Sequence, residues 1–331
     1  MMNRIALISC YFGRLPVYFP YWMKTCASNP SVDFIVYTDQ DFTGTLPGNV
    51  FIRKTTLAAV KILACEKLKR TGLSLEQPYK LCDYKPLYGL IFENDLTDYT
   101  FWGHIDLDLF VGDLSKFLTE EILEKYDKIF PMGHLSIYRN TPEVHQRFFL
   151  PGGKYDPELV LTSPKNFCYD EWPGMYAIYM QHQFPFYTQI CHADISALRK
   201  RFSLQTRTSD KYPKPAPDYP HQLFFWDRGA VRRAYLDSGS IHYDDFAYLH
   251  LFRRPMSQPD FAPEDAEAFF ITSSGLVRKE PGENVTEKQI RKLNPYYGKL
   301  YEYLETKIRR KIMKRKNHKV FAGRDLMKKT P

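Results

Sequence analysis

The sequence predicts an α/β fold: a mainly parallel sheet flanked by helices, followed by a C-terminal amphipathic basic helix. Three observations carry this expectation. Strand-like and helix-like segments alternate over about the first 140 of 331 residues, the pattern of a parallel sheet with helical crossovers. Apolar residues make up 44% of the chain and aromatic residues 16%, enough for a sizeable core. The formal charge of +8 sits at one end: residues 307–331 hold eleven Lys/Arg and one Asp, a net of +10 that leaves the other 306 residues at −2.

RIALISCYF (4–12) reads as the first strand and ends in a loop with Gly13 and Pro16. Residues 17–28 form a short helix stopped at Asn29-Pro30. VDFIVYTD (32–39) and NVFIRK (49–54) are strands. Apolar spacing by threes and fours makes 56–70 a helix that stops at Thr71-Gly72. KPLYGLIFENDL, from residue 85, reads as a helix with Pro86 in its first turn. FWGHIDLDLFVGDL (101–114) follows as a central strand, DLSKFLTEEILEKY (113–126) as a helix capped by Asp113, and KIFPMG (128–133) as another strand. The second half is less regular, with the turn-prone KYPKPAPDYP and strands at LFFWDRG and FAYLHLF. From about residue 286 a last helix carries Ile290, Leu293, Tyr297, Leu300, Leu304, Ile308 and Ile312 on one side. The expected organisation is one unit over 1–285, with halves 1–140 and 141–285, and a basic helical extension over 286–331.

No run of about 18 apolar residues is present, so no transmembrane helix is expected. IALISC runs into YFGRLP without a small-residue cleavage site, so it reads as a strand and not a signal peptide. The six cysteines are scattered without C-x-x-C, which argues against a zinc knuckle or disulfide framework and for a reduced, cytoplasmic setting. With its net positive charge confined to the tail and no aromatic–basic interleaving there, the chain does not read as a nucleic-acid binder.

Asp106 and Asp108 stand two apart among Ile105, Leu107, Leu109 and Phe110. On one strand they would share a face, where each is costly to bury and the two repel. A Mg²⁺ or Mn²⁺ ion resolves the conflict, since it takes oxygen ligands and joins carboxylates to substrate phosphates. The plainer reading is a solvated strand end. In PYKLCDYKPLYG, Asp83 between Lys80 and Lys85 could hold a sugar hydroxyl while the lysines meet phosphate, or simply cap a helix. His250 stands beside Arg253 and Arg254 and reads either as a ligand or diphosphate contact or as a packed core histidine. A base for an acceptor hydroxyl is offered by Asp170 and Glu171 in CYDEW, and by His192 and Asp194 in CHAD. His104 and His134 could line the acceptor side.

Taken together, PYKLCDYKPLYG, FWGHIDLDLFVGDL and GHLSIYRN resemble the GT-A glycosyltransferases, with their Rossmann-like mixed sheet. Within them the chain resembles a bacterial family from capsule and O-antigen clusters, long catalogued as a domain of unknown function. Six blocks recur in order over residues 4 to about 256: ISCYFG, NP with DF and TD, PYKLCDYKP, WGHIDLD, GH with RN, and YLH followed by Arg. The resemblance implies a GT-A-like catalytic unit whose first half binds the nucleotide sugar and whose second half binds the acceptor. It implies that Asp106 and Asp108 form the metal–diphosphate motif, with His250 completing the metal shell and Arg253 neutralising the diphosphate. Cys10, Tyr11, Phe12, Thr38 and Asp39 would meet the base and ribose, and Lys80, Asp83 and Lys85 the sugar and phosphates.

The activity implied is metal-dependent (Mn²⁺ or Mg²⁺) transfer of a hexosyl group from a UDP-sugar, with galactose, pyranose or furanose, as one candidate. An inverting enzyme needs the base at Asp170 or Glu171; a retaining one needs none. The basic amphipathic tail, 307–331, implies an anionic membrane surface. The acceptor expected there is a lipid-linked oligosaccharide at the cytoplasmic face of a bacterial plasma membrane. Two rivals stand beside this reading. A phosphatase of the haloacid dehalogenase type would pair the D-x-D with Asp244-Asp245 of YDDF. A membrane-associated carbohydrate-binding scaffold would have no working site.

Overall fold

IALISCY forms β1 (Ile5–Tyr11), buried on both faces as a central parallel strand must be. In the computed structural model, which describes residues 4–205, 213–252 and 254–325 (of 314–325 the backbone alone), β1 anchors a seven-stranded sheet. β2 (Val32–Thr38) and β3 (Val50–Lys54) add in parallel on one side, β4 (Phe101–Ile105) on the other. β5 (Leu109–Val111) leaves this sheet. β6 (Lys128–Met132) and β7 (Leu135–Arg139) return as a hairpin, with β7 antiparallel to β4, and β8 (Phe186–Tyr187) completes the far edge parallel to β6. The order is β3-β2-β1-β4-β7-β6-β8, mainly parallel as expected, with its antiparallel pairs at β7. Alternation along β1 serves two cores. Ala6 and Ile8 pack with Val60 and Ala64 of helix Leu57–Lys67, while Ile5 and Leu7 pack with Phe19 and Trp22 of helix Phe19–Ala27.

The second half builds two further sheets. β9 (His192–Asp194) is followed by β10 (Gln222–Asp227), β11 (Ala230–Asp237), β12 (Ser240–Phe246), β13 (Tyr248–His250), β14 (Ala268–Thr272) and β15 (Gly275–Arg278). Five of these strands form an antiparallel sheet, β12-β11-β10-β14-β15, while β13 sits between β5 and β9. The small sheet β5-β13-β9 therefore ties the segment after the D-x-D to the end of the chain's second half.

Four expectations are corrected. FWGHIDLDLFVGDL is not one strand: β4 ends at Ile105 and β5 starts at Leu109, because residues 109–111 find their partner in β13 and not in β7. The segment from Pro78 is a chain of 3₁₀ turns, Pro78–Asp83 and Lys85–Leu87, before a short α-turn Tyr88–Ile91. Leu81, Tyr84 and Leu87 are all buried, and a spacing of three lines them up along one side of a 3₁₀ helix. Asp113 does cap, through the Ser115 N–H at 3.2 Å, but the helix it starts is Leu114–Lys116; Thr119 caps the separate helix Glu120–Lys125. The terminal helix is two, Glu287–Leu293 and Lys299–Asp325. Pro295 cannot continue the first, and buried Asn294 turns its side-chain amide onto the Phe202 and Gln222 carbonyls. All six cysteines are free thiols, as their spacing suggested.

Asn29, just past helix Phe19–Ala27, holds β5 in place. Its side chain donates to Gly112 O at 2.9 Å and Thr25 O at 3.2 Å, and accepts the Leu114 N–H at 2.8 Å. Asn29→Ala would orphan these buried groups and is expected to cost about 2–4 kcal/mol in denaturant unfolding.

Candidate functional site

β1 and β4 end together at Tyr11 and Ile105, and a cleft of about 610 Å³ opens there. Open α/β sheets place ligands at this carboxyl edge. Its walls carry the rings of Tyr11, Phe12, Tyr18, Tyr79 and Tyr88, together with Cys10, Lys85, Asp106, Asp108 and Arg254.

The two aspartates of the D-x-D face different partners because they belong to the bend between two sheets. Asp106 N–H donates to His134 O at 2.9 Å, beside β7, whereas Asp108 O accepts the Leu251 N–H at 2.7 Å, just after β13. Leu107 between them is buried. The shared strand face expected from the i, i+2 spacing is thus replaced by two anchored carboxylates.

Lys85 is the cation for Asp106. Its ammonium lies 2.7 Å from Asp106 Oδ1 and 3.3 Å from Asp170 Oδ2, and donates to Gly133 O at 2.7 Å. Burial works against its charge, but the two carboxylates outweigh burial and hold its pKa well above the usual lysine value. Burial raises the Asp106 carboxyl despite Lys85. Burial likewise pushes Asp170 up to about 7, against the pull of Lys85. Asp170 is buried behind Gly133, where any side-chain carbon would collide with it, and it does not line the cleft. Its geometry is that of a positioning group for Lys85, which corrects the expectation of Asp170 as base. Glu171 is half-buried.

Asp108 has the second cation. His250 Nε2 lies 3.5 Å from Asp108 Oδ2 and His250 Nδ1 is 2.8 Å from Asp194 Oδ1. Sheet register makes this meeting: His250 stands opposite Asp194 of β9 and opposite Leu109 of β5. Burial opposes a charged ring, but Asp108 and Asp194 raise the His250 pKa to about 10. His134 stacks on His250 with ring centres 4.2 Å apart. One donor atom each from His134, Asp194 and His250 falls within a 4.8 Å span. Two imidazoles and a carboxylate, with Asp108 adjoining, suit a divalent transition ion, so these residues fit the metal that the D-x-D led us to expect.

The remaining expected residues divide. Cys10, Tyr11 and Phe12 line the cleft, whereas Thr38 is buried and accepts the Gln40 N–H at 3.2 Å. Asp39 accepts the Gly13 N–H at 2.9 Å, and that bond holds its carboxyl below the usual range; it shapes the loop after β1. Lys80 and Asp83 are corrected to scaffold. Asp83 is fully buried and accepts the Phe167 and Tyr169 N–H groups and the Lys80 ammonium, while Lys80 also donates to Val160 O and Lys165 O. The pair clamps the loop that delivers Asp170 and offers no group to a ligand. Arg253 lies outside the described residues. His104 is a packed core residue of β4, and His192 stacks on Tyr248. Asp244 and Asp245 form cross-strand ion pairs with Arg233 and Arg232, the latter at 2.8 Å, and so do not join the D-x-D. Sequence reasoning missed Tyr18 and Tyr88 on the cleft wall, which no local pattern distinguishes from core tyrosines, and considered Asp194 only as a base.

A family described as "Family of unknown function (DUF6625)" matches residues 7–280. No curated protein matches the chain. Among solved structures, the glycosyltransferase GlyE of Streptococcus pneumoniae TIGR4 is 11% identical with a TM-score of 0.29, over 56% of this chain and 45% of that one. Mouse xyloside xylosyltransferase 1, apo form, is 8% identical with a TM-score of 0.33, over 59% of this chain and 88% of that one. The chain thus spans less than half the length of the first, and at these scores neither likeness establishes fold or activity.

Two outcomes follow from the charges. Lys85→Met would strand two carboxylates around a buried apolar group, and a loss of about 3–5 kcal/mol is expected in urea unfolding at neutral pH. The His250 pKa is raised above its unfolded value, so its ion pairs stabilise the metal-free fold fully below about pH 6.5 and fade as pH rises through about 10. Melting curves in chelator should show the gap between wild type and His250→Gln shrinking across that window; a pH-independent gap would contradict the assignment.

Proposed function

The chain belongs to the DUF6625 family of unknown function, and from that premise we propose that it is a metal-dependent glycosyltransferase. In this reading it moves a hexosyl group from a UDP-sugar to a lipid-linked surface-polysaccharide acceptor, of the capsule or O-antigen kind, at the cytoplasmic face of a bacterial plasma membrane. The observation that carries it is the cleft wall, where two carboxylates two residues apart are each neutralised by a separate cation, Lys85 or His250, beside a row of aromatic rings. Rings offer faces to a base and a sugar, and the charged end suits a metal-bound diphosphate. The six-block GT-A resemblance supports the same reading.

The residues divide the work as follows. Lys85, held by Asp170 and Gly133 O, keeps Asp106 fixed at the cleft wall, where its second oxygen can meet ribose or the ion. Asp108 and His250, with Asp194 and His134 behind them, would hold a Mn²⁺ or Mg²⁺ ion. Such an ion supplies positive charge to the departing diphosphate. Of the two expected bases, half-buried Glu171 is the one left to take the acceptor proton if transfer inverts; a retaining transfer needs none. Galactosyl donors, pyranose and furanose, are the first sugars to try.

UDP with Mn²⁺ at about a hundred times its dissociation constant should raise the melting temperature by about 4 °C, and neither alone should match it. Asp108→Asn should abolish that shift while melting as a folded protein. A chain indifferent to UDP that hydrolyses a generic aryl phosphate with Mg²⁺ would overturn the reading.

A further inference from the structure

The terminal helix Lys299–Asp325 is mounted by its acidic residues, not by its apolar ones. Glu302 pairs with Arg201 and, at 3.2 Å, with Arg199; Glu305 accepts the Lys200 N–H at 2.7 Å. Arg199 and Arg201 share Asp218 at 2.9 and 2.8 Å. From the cleft wall, Arg254 donates to the carbonyls of Ser196, Arg199 and Lys200. The root of the helix is therefore fastened through charge to the same segment that Arg254 holds.

Its apolar row points elsewhere. Leu300, Leu304, Ile308 and Ile312 recur every four residues, so they line one side of the helix, and they are 72%, 50%, 60% and 47% exposed. Tyr297 and Tyr301 widen the row. An apolar helix face of this kind is normally the buried one, and a contiguous exposed row marks an interaction surface. Exposed Lys307, Arg310 and Lys311 accompany it, and the sequence continues with Lys314, Arg315 and Lys316.

Charge selects the occupant. An apolar row edged by cations complements an anionic lipid surface, whose headgroups meet the Lys/Arg while acyl chains meet the Leu/Ile. A second copy of the chain would set the same cations against one another. Among the described residues no helix is long and apolar enough to cross a membrane. We propose that helix Lys299–Asp325 lies in the plane of an anionic bilayer surface through Leu300, Leu304, Ile308 and Ile312, fastened rigidly to the body by Glu302 and Glu305. This identifies the surface for the lipid-linked acceptor of the proposed function, but it does not depend on which sugar moves.

The test is co-sedimentation of the full chain with vesicles of phosphatidylcholine, with or without about 30% phosphatidylglycerol. Wild type should pellet with the anionic vesicles and remain in solution with phosphatidylcholine alone. Leu304→Ser/Ile308→Ser and, separately, Lys307→Gln/Arg310→Gln/Lys311→Gln should each weaken binding by at least about tenfold, with unchanged melting temperatures. Equal binding to both vesicles, or wild-type affinity in both variants, would overturn the proposal. So would a wild type that ignores vesicles and forms, by light scattering, a dimer that Leu304→Ser/Ile308→Ser breaks. Lost vesicle binding with an intact UDP shift sinks this inference alone, and the reverse sinks the transferase reading alone.

Discussion

One buried ammonium group organises the centre of this molecule. Lys85 Nζ reaches Asp106 after β4, Gly133 O in the turn between β6 and β7, and Asp170 in the loop of the second half. Three segments distant in sequence converge on one charge. Removing that charge from water is unfavourable, and the two carboxylates offset the cost; the buried Asp170 carboxylate in turn depends on the lysine. The pair clamped beneath it, Lys80 with Asp83, repeats the logic one turn earlier and fixes the loop that carries Asp170. The cleft wall is therefore held by ion pairs and hydrogen bonds from within the chain.

The bend at Asp106–Asp108 is where this scaffold becomes chemistry. Two acids on one strand face would repel and share one environment. Splitting the segment between β4 and β5 gives Asp106 an ammonium and Asp108 an imidazole, with backbone bonds into different sheets. Lysine remains charged at any working pH, while an imidazole can exchange its proton for a metal. The two acids thus hold different potential roles, although they read alike in sequence.

The second half, the hardest part to read, supplies the completing groups. β13 brings His250 between Asp108 and Asp194 by register alone. The antiparallel meander behind it consumes the Asp244 and Asp245 carboxylates in cross-strand pairs with Arg233 and Arg232. That arrangement withdraws from the site the acids a phosphatase would have used.

The sequence by itself determined the alternation of strands and helices in the first half, the D-x-D, the Asp113 cap and the apolar row of the last helix. These are local signals: hydrophobic period, capping chemistry, and charge placed where burial is costly. Only tertiary structure decided that Asp83 and Asp170 support Lys85, that the D-x-D straddles two sheets, and that Asp194 and His134 gather around His250. It also decided that the last helix docks by Glu302 and Glu305 and turns its apolar row outward. Each of these depends on which strand a short segment pairs with, or on which distant charge it meets. A buried carboxylate beside a ligand and a buried carboxylate beside a lysine are the same letter until the fold chooses the partner.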